Sequence, residues 1–221
     1  DINENTETST GLGPYTKSKI ESEKIARDFQ HGGAPVNIVY PGGIFGPKDP
    51  NPNLSDSMGM LTEILKRNLG LTASSAKLAM VDVRDVADVC VGALEVESKN
   101  ARYHAWGELV TMDQVIDLVK KITDRNIRFY STPLFLLDAM GTFGEVFTLA
   151  TRIRLPFAKE SMKMFTQNAR VNGPGKIDQS RANTDFGFQN ISLEESLRDA
   201  LLWLHQAGHL TDKQSGKLAN I

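Results

Sequence analysis

The stretch that most constrains the fold covers residues 15–47. A helical pattern begins at Tyr15 and stops at His31-Gly32-Gly33, where glycine is the usual C-terminal signal. A β-branched run at residues 36–40 follows and leads into a loop rich in glycine and proline. Helix followed by strand is half of a βαβ unit, so we expect an α/β protein with a parallel sheet.

Tyr15 stands four residues before Lys19, about one helical turn, so both side chains project from the same face of the helix. A phenol has an ordinary pKa of about 10 and is a poor acid or base at neutral pH. A nearby ammonium favours the phenolate, which lowers the pKa of a phenol and makes proton exchange feasible. The pair is therefore a candidate catalytic site. The alternative is an aromatic side chain packed on the core with a lysine beside it.

The segment after the predicted strand reads Pro-Gly-Gly-Ile-Phe-Gly-Pro at residues 41–47. Glycines leave room for a ligand to approach the backbone, and prolines fix the path of the loop. Ligands of open α/β sheets bind at the carboxyl ends of strands, where this loop is expected to lie. The alternative interpretation is an ordinary turn.

Later segments continue the α/β pattern. Short strands are predicted at residues 77–83, 102–106 and 127–130, and capping boxes at 111–114 and 192–195 predict two helix starts. Asp85 is expected to be a helix N-cap and Arg84 a partner for Asp82, which favours a structural over a catalytic role for these charges. Residues after Leu210 are polar and are predicted to fray.

The most apolar stretch lies at residues 134–150 and is interrupted by Asp138 and Glu145. It is too short and too charged for a confident membrane span. We expect a helix that lines an apolar cleft. The alternative is a helix on a membrane surface over residues 134–154, since Arg152 and Arg154 follow the apolar run.

Four blocks in order along the chain resemble the extended short-chain dehydrogenase/reductases, also called the NAD-dependent epimerase/dehydratase family. The first block resembles the active-site helix of that family. The blocks are Pro14, Tyr15, Ser18, Lys19 and Glu23; then residues 41–44; then 81–87; and then 176–182 with Phe186-Gly187-Phe188. The apolar stretch and the C-terminal end look most like the branch of dihydroflavonol-reductase-like and hydroxysteroid-dehydrogenase-like enzymes.

The resemblance implies a fold and a site. The expected fold is the C-terminal part of a Rossmann-like doubly wound parallel sheet plus a smaller α/β substrate lobe. Residues 1–100 would form the remainder of the dinucleotide-binding domain and 101–221 mainly the substrate lobe, with about 77–95 returning to the core. Tyr15 and Lys19 would be catalytic and would also contact NAD or NADP, and the segment Pro41, Gly42, Gly43 and Ile44 would lie against the nicotinamide.

Part of the family's pattern is missing from these residues. No glycine-rich turn follows a strand, and the upstream catalytic Ser or Thr of the family has no clear counterpart, because Ser9 and Thr10 lie too close to Tyr15. We therefore expect the chain to be the C-terminal portion of such an enzyme and to bind the cofactor weakly or not at all when isolated. Neither the substrate nor the choice between NAD and NADP can be read from it.

Three functions remain open at this point. The first is an NAD(P)-dependent oxidoreductase that reduces or oxidises a carbonyl or hydroxyl of a small apolar or sugar-like substrate, with a tyrosine as acid and base. The second is a nucleotide-sugar epimerase or dehydratase that uses the same machinery. The third is a binding protein that has kept the fold and lost the chemistry.

Composition excludes several other classes. With 25 basic and 27 acidic residues and no basic run, the chain offers no support for nucleic-acid binding. One cysteine, Cys90, excludes an internal disulfide and agrees with a reducing, cytoplasmic location. One cysteine and four separated histidines give no zinc-ligand spacing, so no metal is expected. A homodimer paired through the tyrosine helix is a further expectation from the resemblance.

Overall fold

The computed structural model describes residues 2–3, 5–6, 11–73, 76–97, 100–152, 159–171, 173 and 175–221. Within them the helices are α1 (Pro14–His31), α2 (Asp56–Arg67), α3 (Val83–Glu95), α4 (Met112–Thr123), α5 (Leu134–Thr151), α6 (Lys159–Arg170), α7 (Ser180–Phe186), α8 (Leu193–Gln206) and α9 (Asp212–Ser215), followed by a 3-10 helix (Gly216–Asn220). The strands are β1 (Ile38–Pro41), β2 (Gly43–Phe45), β3 (Leu69–Thr72), β4 (Lys77–Asp82), β5 (Arg102–Ala105), β6 (Glu108–Thr111) and β7 (Arg128–Ser131).

Parallel pairing dominates the strands, as the sequence predicts. β1 pairs with β5, β2 with β4, and β3 with β7, all in parallel, while β6 joins β4 antiparallel. β2 begins two residues after β1 ends. Residues 38–45 therefore pair first with β5, through β1, and then with β4, through β2, and the change of partner occurs at Gly42. The fold is α/β and Rossmann-like. β5, which the sequence assigned to the second domain, lies beside β1 of the first; the domain boundary itself stays a prediction.

The main hydrophobic core lies between α2, α4, α8 and the strands β4 and β6. Apolar side chains at helical spacing on α4 and α8 point into it because both helices begin at a capping serine or threonine that fixes their rotation. The fully buried side chains include Leu61, Leu65, Met112, Ile116, Leu197, Leu201 and Leu204. A second cluster around Tyr103 and Val89 fills the space between α3, α7 and the pair β1–β5.

Two local predictions are wrong. Asp82, not Asp85, is the N-cap of α3, because its carboxylate accepts the backbone N–H of Arg84 at 2.8 Å. The tail after Leu210 does not fray, since it forms α9 and the 3-10 helix and buries Leu218 in the main core. The predicted ion pair between Arg84 and Asp82 is confirmed, at 2.7 Å.

Candidate active site

Tyr15 and Lys19 lie side by side on the first turns of α1. The ammonium nitrogen of Lys19 is 5.5 Å from the centroid of the Tyr15 ring, within reach of a cation–π contact. Tyr15 is 59% exposed, so the alternative of an aromatic side chain packed on the core is wrong. Both side chains are instead open to a ligand.

The packing of α1 on the strands fixes where this pair lies. Near the end of α1, the amide nitrogen of Gln30 donates to the carbonyl oxygen of Val36 at 2.8 Å, just before β1 begins. Two turns earlier, Glu23 accepts the hydroxyl of Tyr40, near the end of β1, at 2.9 Å. Helix and strand therefore run antiparallel, and Lys19, one turn before Glu23 on the same side of the helix, lies towards the carboxyl end of β1.

Glu23 is the centre of a small polar cluster between α1 and β1. The residue is only 8% exposed, and one carboxylate oxygen accepts both the Tyr40 hydroxyl and Nε of Arg27, the latter at 2.7 Å. Burial raises the pKa of Tyr40, and its hydrogen bond to the Glu23 carboxylate raises that pKa further. Tyr40 is therefore a neutral donor that ties the helix to the strand. Its ring also stacks on His104 of β5, with centroids 5.1 Å apart.

The segment from Pro41 to Ile44 presents an exposed backbone edge at the end of β1. Pro41, Gly43 and Ile44 are exposed, as a ligand-contacting segment needs. The two glycines, however, allow neighbouring backbone segments of the protein itself, rather than a ligand, to come close. A Cβ at Gly42 would lie 2.8 Å from the carbonyl oxygen of Trp106, and one at Gly43 would lie 3.0 Å from that of Ala79. Close approach of neighbouring strands therefore explains these glycines without a ligand.

Glu160 of α6 holds the N-terminus of α1, a contact that sequence reasoning missed. Its carboxylate accepts the backbone N–H of Tyr15 at 3.1 Å, and the backbone N–H and hydroxyl of Thr16 at 2.7 and 2.8 Å. The Thr16 N–H bond is the main reason why the pKa of Glu160 is lowered. Gly13 leaves the necessary space, since a Cβ there would lie 2.5 Å from the Glu160 carboxyl carbon. Glu160 therefore satisfies amides that the helix itself leaves free.

A cleft of about 780 Å³ opens between α1 and α6. Tyr15 and Lys19 line one wall, and Met164, Gln167 and Val171 are on the other. Both apolar and polar side chains line it, which suits a small organic molecule with hydroxyl groups. The described residues that line it come from the segment before α1, from α1, from α6 and from Val171 just after α6. None of residues 134–150 is among them, and that these residues line an apolar cleft stays a prediction.

A second cavity, of about 460 Å³, lies beside β5 and α7. It is polar, with Arg102, His104, Asp178 and Asp185 among its lining residues. None of the site residues predicted from the sequence lines it. We therefore place the candidate chemistry in the α1–α6 cleft, where a phenol and an ammonium are adjacent.

The charges of the third sequence block have structural partners. Arg84 bridges Asp82 and Asp199, at 2.7 and 2.9 Å, and so ties α3 to α8. Asp85 accepts the backbone N–H of Ile191 at 3.1 Å. Burial raises the pKa of Asp85 to about 6. These contacts support the structural role that the sequence favoured.

The chain is similar to known proteins in sequence and in fold. A putative dihydroflavonol 4-reductase from Synechocystis is 24% identical over 204 residues, which cover 90% of this chain and 57% of that protein. The structure of a protein named gox2253 has a TM-score of 0.70 at 20% identity, over 95% of this chain and 62% of its own. The UDP-glucuronic acid 4-epimerase of Bacillus cereus, solved with UDP-glucuronic acid and NAD, has a TM-score of 0.60 at 14% identity, over 91% and 58%. No family model matches the chain.

The resemblance to the extended short-chain dehydrogenase/reductases is confirmed. The chain spans less than two thirds of the length of each of these three proteins. The structure brings Tyr15 and Lys19 together on one wall of the α1–α6 cleft. None of residues 41–44 is among the described residues that line this cleft, so their part in the same site stays a prediction. Ser9, Thr10 and Arg154 lie outside the described residues. Glu160 and Gln167 carried no signal in the sequence, because neither belongs to a motif.

Proposed function

We propose that the protein containing this chain is an NAD(P)-dependent oxidoreductase of the short-chain dehydrogenase/reductase type. It would reduce a carbonyl, or oxidise a hydroxyl, of a small apolar or sugar-like substrate. The observation that carries the proposal is the pair Tyr15–Lys19, exposed on one wall of the α1–α6 cleft. Its helix runs antiparallel to β1, so the pair lies towards the carboxyl end of that strand. Such strand ends are where ligands of open α/β sheets bind.

The residues present fit the nicotinamide end of the proposed NAD or NADP. Pro41 and Ile44 expose apolar surface for a ring face, and Lys19 offers an ammonium to ribose hydroxyls. When bound, the nicotinamide supplies or accepts the hydride. The contact of residues 41–44 with it is part of the proposal, as is the choice between NAD and NADP, which the described residues leave open.

Within this proposal Tyr15 moves the proton. In the reductive direction its hydroxyl donates a proton to the substrate oxygen, and in the oxidative direction the phenolate takes the proton back. Lys19 stabilises the phenolate by its positive charge, and its amine also orients the sugar next to the ring. Glu160 accepts hydrogen bonds from the backbone N–H groups of Tyr15 and Thr16, and so fixes the backbone from which the phenol side chain projects. Gln167 and Met164 on α6 would contact the rest of the substrate.

Epimerisation or dehydration of a nucleotide-sugar is the second candidate. Its support is the likeness to an epimerase solved with a UDP-sugar and NAD, and the polar share of the cleft lining. These reactions oxidise the substrate transiently and restore the cofactor, whereas a reductase consumes it. The deciding assay supplies the protein encoded by the whole gene with NADH or NADPH and either ketones or UDP-sugars. Net loss of the reduced cofactor with a ketone supports the reductase, and turnover of a UDP-sugar without net loss supports the epimerase.

A binding protein without chemistry is the third candidate, and the assay rejects it if either turnover is seen. The remaining expectations are proposals of the same standing. They are a small-molecule substrate, no nucleic-acid partner, a cytoplasmic location and a homodimer. The exposed apolar side chains of Ile25 and Phe29 on α1 support pairing through that helix.

A further inference from the structure

Helix α5 exposes an apolar surface that the site does not use. Its 18 residues have a mean hydropathy of 1.3, enough by length and composition to cross a membrane, yet only 17% of it is buried. Helices that are apolar all round are normally enclosed by protein or lipid. Phe143 and Leu149, for example, are 64% and 78% exposed. An exposed apolar surface of this kind is typical of an interaction site.

We define the outer face of α5 by eight exposed residues that share one side of the helix. At about 100° per residue these eight occupy a continuous arc of roughly 140°. The residues are Phe135, Leu136, Ala139, Thr142, Phe143, Val146, Leu149 and Ala150. Seven of the eight are apolar. The opposite side, which carries Leu137, Gly141 and Gly144, is buried.

Three polar side chains on or near the outer face, those of Thr142, Thr151 and Asp138, are hydrogen-bonded inside the protein. The hydroxyl of Thr142, the one polar residue of that face, donates to the carbonyl oxygen of Asp138 at 3.0 Å. The hydroxyl of Thr151, at the end of α5, donates to that of Phe147 at 2.8 Å. The carboxylate of Asp138 in turn accepts hydrogen bonds from the hydroxyl of Thr166 and the guanidinium of Arg170, both on α6, at 2.7 and 2.6 Å. A lipid environment demands such internal pairing, whereas a protein interface normally adds polar contacts at its rim.

The charge of residues 134–171 favours lipid over other molecules as the occupant of the outer face of α5. Residues 134–171 hold five basic and three acidic residues, although the whole chain holds 25 and 27. Asp138 is paired with Arg170, Glu160 is bound to the start of α1, and Glu145, the third acidic residue, is exposed on α5. The net charge of the segment is therefore positive by two. Arg152 follows α5 directly and is exposed. The segment therefore presents positive charge beside an apolar helix, the pattern of an interfacial helix on an anionic bilayer.

We infer that the outer face of α5 docks on an anionic membrane surface, with the helix axis in the plane of the bilayer. A spanning arrangement would separate α5 from α6, against which its inner side packs, and α6 carries exposed Lys163 and Arg170. Docking in the plane keeps that packing. The aromatic and aliphatic side chains enter the acyl boundary, and Arg152 contacts lipid phosphates.

The test is co-sedimentation of the protein encoded by the whole gene with vesicles of phosphatidylcholine, with and without phosphatidylglycerol. Binding is expected to anionic vesicles and to weaken with salt. Phe143→Glu and Leu149→Glu should each weaken it by about tenfold or more. Leu94→Glu is the matched control, because Leu94 is 81% exposed on α3 and lies outside the face. No sedimentation of the natural protein, or equal losses in the control, would overturn the inference.

A second readout does not depend on charged substitutions. An environment-sensitive fluorophore on Phe143→Cys, in a Cys90→Ser background, should shift to the blue on anionic vesicles. The same label on the natural Cys90, which is exposed on α3, should show no blue shift when anionic vesicles are added. If the glutamate variants instead convert a dimer into a monomer and the label at position 143 does not respond to vesicles, a second copy of the chain covers α5 and the membrane proposal fails.

Discussion

The hydrogen bond between Tyr40 and Glu23 is expected to hold α1, which carries the proposed catalytic pair, on β1. Tyr40→Phe removes one donor, at 2.9 Å, from a carboxylate whose side chain is 7% exposed. A hydrogen bond to a charged group contributes about 1.5–3 kcal/mol, and here the lost donor leaves a nearly buried charge with less solvation. We therefore expect the free energy of unfolding to fall by about 1.5–3 kcal/mol, which lowers Tm by roughly 3–12 °C in a domain of this size.

Urea denaturation of the Tyr40→Phe variant measures this loss directly, with an unchanged slope expected against urea concentration. Tyr130→Phe is the matched control, because Tyr130 is an exposed tyrosine of β7 remote in sequence from the cluster. The control should change the free energy of unfolding by less than about 0.5 kcal/mol. If the two variants behave alike, Tyr40 does not tie α1 to β1 and the placement of Lys19 over the strand end loses its support.

Three further variants test the carboxylates of Asp85 on α3 and of Glu160 at the start of α1. Burial raises the pKa of Asp85 to about 6, so its ionised form costs stability above that pH, and the cost disappears as the pH falls towards the unfolded pKa near 4. Asp85→Asn should thus raise the free energy of unfolding by about 1–3 kcal/mol at alkaline pH and by much less in acid, as urea titrations at both pH values would show; an equal gain at both would contradict this. Glu160→Gln and Gly13→Ala should each lower kcat by a larger factor than they lower the folding equilibrium constant, because both disturb the carboxylate that holds the backbone of Tyr15, the proposed acid and base. Gly59→Ala, a site with open space on α2, is the steady-state kinetic control, and unchanged kcat in both test variants would refute the role.

Local patterns were sufficient to predict many elements. Thr111 and Ser192 were identified as helix starts because their side chains accept backbone N–H groups three residues on, and the structure shows both bonds. Helix α7 ends at Gly187, which adopts a φ of 69°, a conformation that glycine takes easily. In each case the determining interaction spans only a few residues, so sequence alone contains it.

Contacts between distant segments could not be predicted. Glu160 and Tyr15 are 145 residues apart, and the sequence around either residue gives no indication that it contacts the other. Asp82 and Asp85 are both suitable N-caps, and the choice depends on Ile191, whose N–H engages Asp85. The strand β3 was missed because Leu69–Thr72 is short and is defined by its partner β7. The adjacency of Tyr15 and Lys19, by contrast, can be predicted from the sequence, because a spacing of four residues places both side chains on one face of a helix.

The most direct test of the account is turnover by Tyr15→Phe in the protein encoded by the whole gene. Phenylalanine keeps the ring next to Lys19 and removes only the proton that the mechanism requires. We expect turnover to fall by about 10²–10⁴-fold, while cofactor binding and the unfolding transition stay unchanged. A variant that retained full turnover would show that Tyr15 is not the acid and base, and the proposed mechanism would be wrong.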